Sequence, residues 1–339
     1  MRSIRLGLLF ILLITCFGAL HAQVPDSVKH YILSCVDVMQ KQSVYAHGLN
    51  WKKIRDTVNR RLSNAGNTKE AEAAVIWAFN QLKDYHGAYN GIDTSYHNKK
   101  TGPEREFSKA ILAEYQKPRS VKTKMLEGNI AYYKMPAVLI GSNTEQMKVW
   151  ANILSDPICK LEAQQPRAYI IDLRMNNGGN IEPMWQALKN LVGEENAVFT
   201  TDYKKKILPA DKDSAVLKYK SAAIPDRPCT FRKNIPVAVL IGPGTASSGE
   251  IMALSFTTRA NTKLFGEPSI GVANVTNGFI VEDKGYLLLT VGYIADAHRK
   301  VLTNCYINPN IYIKNTNDNY TEPQNDPTIL AALKWLTKK

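Results

Sequence analysis

Strands that alternate with helices from residue 128 onward constrain this chain more than any other feature of its sequence. Two buried strands are predicted where apolar residues run together, in AYIIDLR from Ala168 and in IPVAVLIG from Ile235. Each strand ends in a turn that contains glycine and leads into a predicted helix, over 181–193 and 247–259. The stretches NIAYYKMP, KLFGE, GYLLLTVGYIA and NIYI predict further strands, and TEQMKVWANILSD and DPTILAALKWL predict further helices. Repeated units of strand, turn and helix predict an α/β sheet buried between helices.

The part of the chain before this sheet has a different pattern. Apolar residues spaced three and four apart over 25–90 predict a small helical region, which ends in the glycine-containing stretch LKDYHGAYNG. A charged stretch with one predicted helix, 107–116, then leads to the sheet. The predicted units are a signal peptide at 1–22, a helical region at 23–95, a linker at 96–125 and a catalytic core at 126–339.

The first residues have the pattern of a secretory signal. Arg2 and Arg5 precede an apolar run over 6–20, and Ala22 supplies a small residue for cleavage. Cys16 could instead carry a lipid as part of a lipoprotein box, but the bulky threonine before it disfavours this. No later run is long enough to span a bilayer. We therefore expect a periplasmic or extracellular protein without an integral membrane span once the signal is removed.

Charge and cysteine usage exclude several classes of function. The net charge of +13 comes from 43 basic and 30 acidic residues, but the lysines are scattered and no nucleic-acid module accompanies them. The four cysteines after the signal lack the CxxC spacing and the clustered histidines of a zinc site. We predict no nucleic-acid partner, no metal and no cofactor. Disulfides are allowed but not required, and no oligomeric state is predicted.

Two adjacent serines follow the second buried strand. The turn Gly242-Pro243-Gly244 precedes them, and Ser247 and Ser248 stand where the next helix begins. A serine oxygen at this position lies near the positive end of the helix dipole, and the following N–H can point at an oxyanion. Helix capping by a serine hydroxyl is the competing explanation.

The first buried strand ends in Asn176-Asn177-Gly178-Gly179. Two glycines at the start of a helix let backbone N–H groups turn toward a ligand. A tight turn without function is the alternative.

His86 in DYHGAY is the third candidate. A histidine in a loop acquires a role when it meets a serine that needs a general base.

In order and in sequence, these three loops resemble the tail-specific, or C-terminal processing, serine protease family. The family element D-L-R-x-N-x-G-G matches residues 172–179, T/S-A-S-x-x-E matches 245–250, and G-E-x-x-x-G matches 266–271. The resemblance covers residues 70 to 336 and implies a crotonase-like or ClpP-like mixed α/β core, preceded here by the small helical region. It also implies a polypeptide substrate.

The resemblance assigns roles to individual residues. Ser247, three residues before Glu250, is implied as the nucleophile. One branch of the family uses a lysine where this chain has Val272, whereas the branch similar to the tricorn core and the retinoid-binding repeats uses the histidine of a D-x-H element, which matches His86. The backbone N–H groups implied for the oxyanion hole are those of Gly178, Gly179 and Ser248.

The chain departs from that branch in a late element. Thr303 stands where a glutamate usually orients the histidine, and Asn310 replaces an aspartate. Three other residues could orient His86: Asn304, Asp84 and Asp296.

Only about 40 residues separate His86 from the strand at Asn129, fewer than the ~50 of a small domain, so a PDZ module is not expected there. We predict a secreted serine endopeptidase. The alternative is a catalytically inactive peptide- or lipophile-binding protein on the same fold.

Overall fold

A computed structural model describes residues 24–98, 107–140, 144–208, 223–302, 304–314 and 317–338. The signal predicted at 1–22, with Cys16, lies outside the described residues, as does Thr303. The α-helices of the described ranges are α1 (Asp26–Gln42), α2 (Trp51–Ser63), α3 (Thr68–Leu82), α4 (Lys109–Tyr115), α5 (Thr144–Glu162), α6 (Ile181–Val192), α7 (Ser248–Thr257) and α8 (Pro327–Leu336). The strands are β1 (Ala88–Asn90), β2 (Ser95–His97), β3 (Lys122–Leu126), β4 (Ile130–Lys134), β5 (Ala168–Asp172), β6 (Phe199–Thr201), β7 (Val237–Ile241), β8 (Thr262–Gly266), β9 (Asn274–Val281), β10 (Gly285–Ala295) and β11 (Ile311–Tyr312).

The larger sheet has the strand order β11, β8, β7, β5, β4, β3. Its strands are parallel except β3, which pairs antiparallel with β4. Every residue of β4, β5 and β7 is buried because helices cover both faces. Alternate residues such as Ile171 and Val239 pack with α5, α6 and α7, and their neighbours Ile170 and Leu240 pack with α8.

The smaller sheet is antiparallel and is built around β10. β10 pairs with β1, β6 and β9, and β2 extends the sheet beyond β1. Helices α1 to α3 cover one face, where Tyr31 and Phe79 pack with Leu287 and Leu289 of β10. The N-terminal helices therefore pack on strands from the far end of the chain. The unit boundaries at 95 and 125 remain predictions.

The α/β fold class predicted from the sequence is confirmed. The predicted strands correspond to β4, β5, β7, β8, β10 and β11, and the predicted helices include α4 to α8. Asp326 caps α8 as its position before proline suggests, because its side chain accepts a hydrogen bond from the Ile329 N–H. The sequence analysis missed β1, β2, β3, β6 and β9, which are short or carry polar residues and are held by their partners.

A disulfide joins Cys159 of α5 to Cys229. The other two described cysteines, Cys35 and Cys305, are not in disulfides. In the described ranges no helix is both long and apolar enough to cross a bilayer. The same ranges contain no group of three or more acidic, histidine or cysteine side chains arranged to hold a metal ion.

Candidate active site

The two glycine-containing turns lie together at the carboxyl ends of β5 and β7. These strands are parallel neighbours in the larger sheet, so the loops that follow them meet at one edge. The Ala246 N–H donates to the Asn176 carbonyl at 3.0 Å, and the Thr245 hydroxyl donates to the Leu173 carbonyl at 2.9 Å. The loop after β5 and the loop before α7 therefore form one hydrogen-bonded unit.

Gly178 lies directly against Ser247. Its φ of +100° is in the region that favours glycine, and a Cβ added to it would lie 2.7 Å from the Ser247 Cβ and 3.1 Å from the Ser248 nitrogen. The structure thus brings together two residues that the sequence analysis singled out 69 positions apart.

Gly179 approaches a different part of the backbone. Its φ is +99°, and an added Cβ would lie 2.1 Å from the Val138 carbonyl oxygen. Val138 donates its N–H to the Gly178 carbonyl at 3.0 Å and accepts from the Asn180 N–H at 2.7 Å. In this parallel pairing, the Gly179 N–H points away from Val138.

Ser247 has an unusual backbone conformation. It precedes α7 with φ 52° and ψ −120°, the angles of the first central residue of a type II′ turn, where glycine is usual. A residue other than glycine in such a region costs about 1–3 kcal/mol and persists only where its surroundings enforce it. A strained serine between a strand and a helix is also the geometry of the nucleophile in α/β-hydrolases, although the sequence motif here is different.

The buried Glu250 carboxylate enforces this conformation. One oxygen accepts from the N–H groups of Ser247 at 2.8 Å and Val272 at 3.0 Å, and the other accepts from the Ser269 hydroxyl at 2.5 Å and the Gly271 N–H at 2.7 Å. Burial raises the pKa of Glu250 to about 7, against the opposing effect of these hydrogen bonds. Glu250 thereby links the loop that carries Ser247 to the loop that follows β8.

The three backbone N–H groups expected in the oxyanion hole differ in the hydrogen bonds that they make in the structure. The Gly178 N–H donates to the Asn176 side chain at 3.0 Å. The Ser248 N–H belongs to the first residue of α7 and so has no acceptor inside the helix. The Ser248 hydroxyl donates to the Gly179 carbonyl at 2.5 Å and links the two loops. Gly179 and Ser248 are the better placed donors.

The loop that carries His86 is fixed by a buried carboxylate. Asp84 accepts hydrogen bonds from the N–H groups of His86 at 3.1 Å and Gly87 at 2.9 Å. It also accepts from the Thr290 N–H at 2.7 Å and the Thr290 hydroxyl at 2.8 Å. The histidine loop is therefore anchored to β10.

The ring of His86 is half-buried and contacts Asn274, the first residue of β9. Its Nδ1 pairs with the Asn274 side-chain oxygen, and the Asn274 amide nitrogen donates to the Tyr45 hydroxyl at 3.2 Å. Burial lowers the pKa of His86 from its ordinary 6.5, while the bond to Asn274 and the charge of Asp84 oppose that shift. The ring is thus kept neutral at neutral pH, as a general base requires.

None of the three residues suggested as orienters forms a hydrogen bond with the ring of His86. Asp84 binds the backbone of His86, and the other two accept N–H groups of their own turns, Asp296 from Lys300 and Asn304 from Tyr306. Asn310, which replaces the family aspartate, pairs with Leu264 of β8. The sequence analysis missed Asn274 and Tyr45 because no local motif marks either residue. It could have found Glu250 as a site residue from its capping-box spacing to Ser247.

In the described part of the chain, no hydrogen bond joins the His86 ring directly to Ser247. They are connected through intermediates, because Asn274 donates its N–H to the Val272 carbonyl and Val272 and Ser247 both donate to Glu250. Catalytic hydrogen bonds are often long in structures without substrate.

Behind the loops, Asp172 and Arg174 of the D-L-R element belong to a buried ionic cluster. The Arg174 guanidinium pairs with Asp172 at 2.8 Å, with Asp326 at 2.9 Å and with Asp318 at 3.0 Å. It also lies over the Tyr320 ring at 4.8 Å. Burial raises the pKa of Asp318 to about 6. The cluster joins the end of β5 to the start of α8 and supports the turn that carries the glycines.

Comparison with known proteins shows which family the chain resembles. The model of peptidase family S41 matches residues 129–313, more than half of the chain. The nisin-resistance protein of Lactococcus lactis subsp. lactis is 24% identical over 299 residues, which cover 88% of this chain and 87% of that protein. The carboxy-terminal processing protease CtpA of Bacillus subtilis is 28% identical over 177 residues, which cover 51% of this chain but 34% of CtpA.

Solved structures share the fold over almost the whole chain. A lipoprotein from Streptococcus agalactiae has a TM-score of 0.70 at 19% identity, with 93% of this chain and 97% of that chain covered. The photosystem II D1 C-terminal processing protease has a TM-score of 0.59 at 13% identity, with coverage of 88% and 96%.

Proposed function

The chain belongs to peptidase family S41, and we propose that it is a serine endopeptidase in which Ser247 is the nucleophile and His86 is the general base. A polypeptide is the substrate, and the reaction is hydrolysis of a peptide bond. The observation that carries the proposal is the strained conformation of Ser247 in contact with Gly178, next to the N–H groups of Gly179 and Ser248.

The reaction begins when the Ser247 oxygen attacks the carbonyl carbon and its proton passes to Nε2 of His86. A C–O bond forms, and the electron pair of the carbonyl moves onto its oxygen, which the Gly179 and Ser248 N–H groups receive. When the tetrahedral intermediate collapses, the C–N bond breaks and His86 gives the proton to the leaving amine. Water then releases the acyl group by the same steps in reverse.

The N–H groups of Gly179 and Ser248 are expected to supply much of the rate enhancement. In well-studied serine peptidases, loss of one such donor costs about 3–4 kcal/mol of transition-state stabilisation. The Gly178 N–H would join them only if it left the Asn176 side chain, so we assign it the lesser role.

The relatives support a location of this protein outside the cytoplasm. The similarity to a nisin-resistance protein spans most of both chains, and a lipoprotein shares the fold. A peptide of nisin's kind is therefore a reasonable first substrate to test beside unfolded proteins.

A serine-directed fluorophosphonate tests the proposal. The purified protein should be labelled at Ser247 and should cleave an unfolded protein or nisin, and Ser247→Ala should abolish both. Ser255→Ala is the matched control, because Ser255 lies in α7 and donates its hydroxyl only to the Ile251 carbonyl within the helix. Labelling that survives Ser247→Ala would reject the assignment of the nucleophile.

A binding protein without turnover is the second candidate. The indirect connection between His86 and Ser247 favours it. Folded protein that binds peptides or lipophiles, yet neither cleaves peptides nor reacts with the fluorophosphonate, would establish this role instead.

A further inference from the structure

Nδ1 of His86 does not face a carboxylate in this site. The acceptor usually found there in serine–histidine sites is an aspartate or glutamate, which fixes the tautomer of the imidazole and stabilises its protonated form. Here the partner is the side-chain oxygen of Asn274, a neutral amide. Orientation and charge are thus supplied by different residues.

We propose that Asn274, held in place by Tyr45, is the positioning residue that keeps His86 in the tautomer protonated at Nδ1, so that Nε2 is free to accept a proton. The proposal rests on the proposed role of His86 as the general base. Neither Asn274 nor Tyr45 touches the reacting atoms.

The contacts of the amide support this role. Its oxygen can only accept, so the atom that faces it, Nδ1 of His86, must carry the proton. Its nitrogen can only donate and finds the Tyr45 hydroxyl at 3.2 Å. Burial raises the pKa of Tyr45, which therefore remains an uncharged hydroxyl over the pH range in which a peptidase would work.

Tyr45 is itself held from two sides. Its N–H donates to the Ser43 hydroxyl in the short turn after α1, and its ring meets Tyr293 of β10 edge-to-face with centroids 6.2 Å apart. The N-terminal helical region thus contributes a residue to the support of the base. The site is not built by residues 129–313 alone.

The charged and titratable groups around His86 and Asn274 explain why an amide, and not a carboxylate, stands at position 274. Asp84 faces His86 from its own loop, and Tyr45, Tyr293 and Cys305 complete the surroundings. Asp84 already supplies a negative charge near the ring. A second carboxylate at position 274 would favour the imidazolium and raise the pKa of His86, so a smaller fraction of the base would be neutral at a given pH. The amide orients the ring without adding that charge.

The test reads the tautomer directly. In protein labelled with ¹⁵N-histidine, the signals of His86 are assigned by their loss in His86→Gln. We expect the parent to be protonated at Nδ1, and Asn274→Leu to lose this preference. A parent protonated at Nε2 would mean that the amide is turned the other way and would overturn the proposal.

Kinetics supply the second readout. Asn274→Leu should lower kcat about 10- to 100-fold and Tyr45→Phe about 2- to 10-fold, with KM little changed. Asn274→Asp should keep the tautomer and move the acidic limb of the rate profile up by about one pH unit. An Asn274→Leu variant with parental kcat and parental tautomer would also overturn the proposal.

Asn80→Leu and Tyr96→Phe are the matched controls. Tyr96 donates its hydroxyl to the Asn80 side chain at 2.8 Å, so this pair also joins a tyrosine hydroxyl to an asparagine amide away from His86, with donor and acceptor exchanged. Both controls should keep the parental kcat and tautomer. A parent that is protonated at Nδ1 but neither cleaves peptides nor labels at Ser247 would reject the peptidase function and leave the positioning of His86 supported.

Discussion

The Ser247 N–H donates to the Glu250 carboxylate at 2.8 Å across a single turn of chain. This bond holds Ser247 at a positive φ, and the same carboxylate accepts hydrogen bonds from the loop after β8. A turn that could have been an ordinary helix cap is in this way connected to the rest of the site.

Glu250→Gln should change how stability depends on pH. In the folded protein, burial raises the pKa of Glu250 to about 7, above its ordinary 4.5. The contribution of Glu250 to the free energy of unfolding is therefore full below pH 4.5 and is lost as the pH rises through 7, by about 3 kcal/mol. Denaturant unfolding between pH 4 and 9 should show this decline in the parent and a smaller one in Glu250→Gln. The exposed Glu322→Gln should follow the parent, and parallel curves for all three proteins would refute the assignment.

Alanine at Gly178 and at Gly179 should have different effects. At Gly178 the new Cβ meets Ser247, so turnover should fall more than the melting temperature. At Gly179 it would overlap the Val138 carbonyl, so both should fall, with a loss of stability of about 1–3 kcal/mol. Gly48→Ala separates strain from contact, since Gly48 has a φ of +89° with no atom within 4 Å of the added Cβ. If Gly178→Ala and Gly48→Ala give the same turnover, the contact with Ser247 has no catalytic role.

Ser248→Ala should slow the enzyme without inactivating it. The backbone N–H remains, but the hydrogen bond from the hydroxyl to the Gly179 carbonyl is lost, and the two loops are held less firmly. We expect kcat/KM to fall about 2- to 10-fold, the equivalent of one hydrogen bond. Steady-state assays beside Ser255→Ala measure this. Complete loss of activity in Ser248→Ala, with Ser247→Ala still active, would exchange the roles of the two serines.

The acidic limb of activity should lie below pH 6.5. His86 must be neutral to take a proton, and burial lowers its pKa, so activity is retained below the ordinary value and lost as the pH falls through the lowered one. The measurement is kcat/KM between pH 4 and 9. Lys263 is a lysine of β8 that serves as a control for a lysine base. It lies over the Trp335 ring at the amino end of the strand, away from the site, so Lys263→Ala should leave the profile unchanged. Activity lost well above pH 6.5 would favour a lysine.

The sequence predicted the turns at one edge of the larger sheet better than it predicted the residues that hold His86. Ile170 and Leu240 lie in apolar runs that predict two buried strands, each followed by a glycine-containing turn. The structure makes these strands parallel neighbours, so the two turns meet at one edge of the sheet. Asn274 lies 188 residues from His86, and Tyr45 lies 229 residues from Asn274. Contacts over such distances depend on tertiary packing and leave no local pattern.

The smaller sheet was missed for a related reason. β1 has three residues and β9 contains Asn277 and Gly278, so neither has the alternating apolar pattern of an independent strand. Both are stabilised by pairing with β10, whose own apolar run was recognised.

The pairing of the histidine loop with β10 has a consequence for biosynthesis. His86 leaves the ribosome long before Thr290, which anchors its loop, and before Asn274, which holds its ring. A nascent chain that has emerged only as far as Ser247 therefore contains Ser247 and His86 but lacks the strand that fixes the histidine loop. The proposed peptidase activity therefore requires that nearly the whole polypeptide has been translated and folded, and we expect an incomplete translation product to be inert.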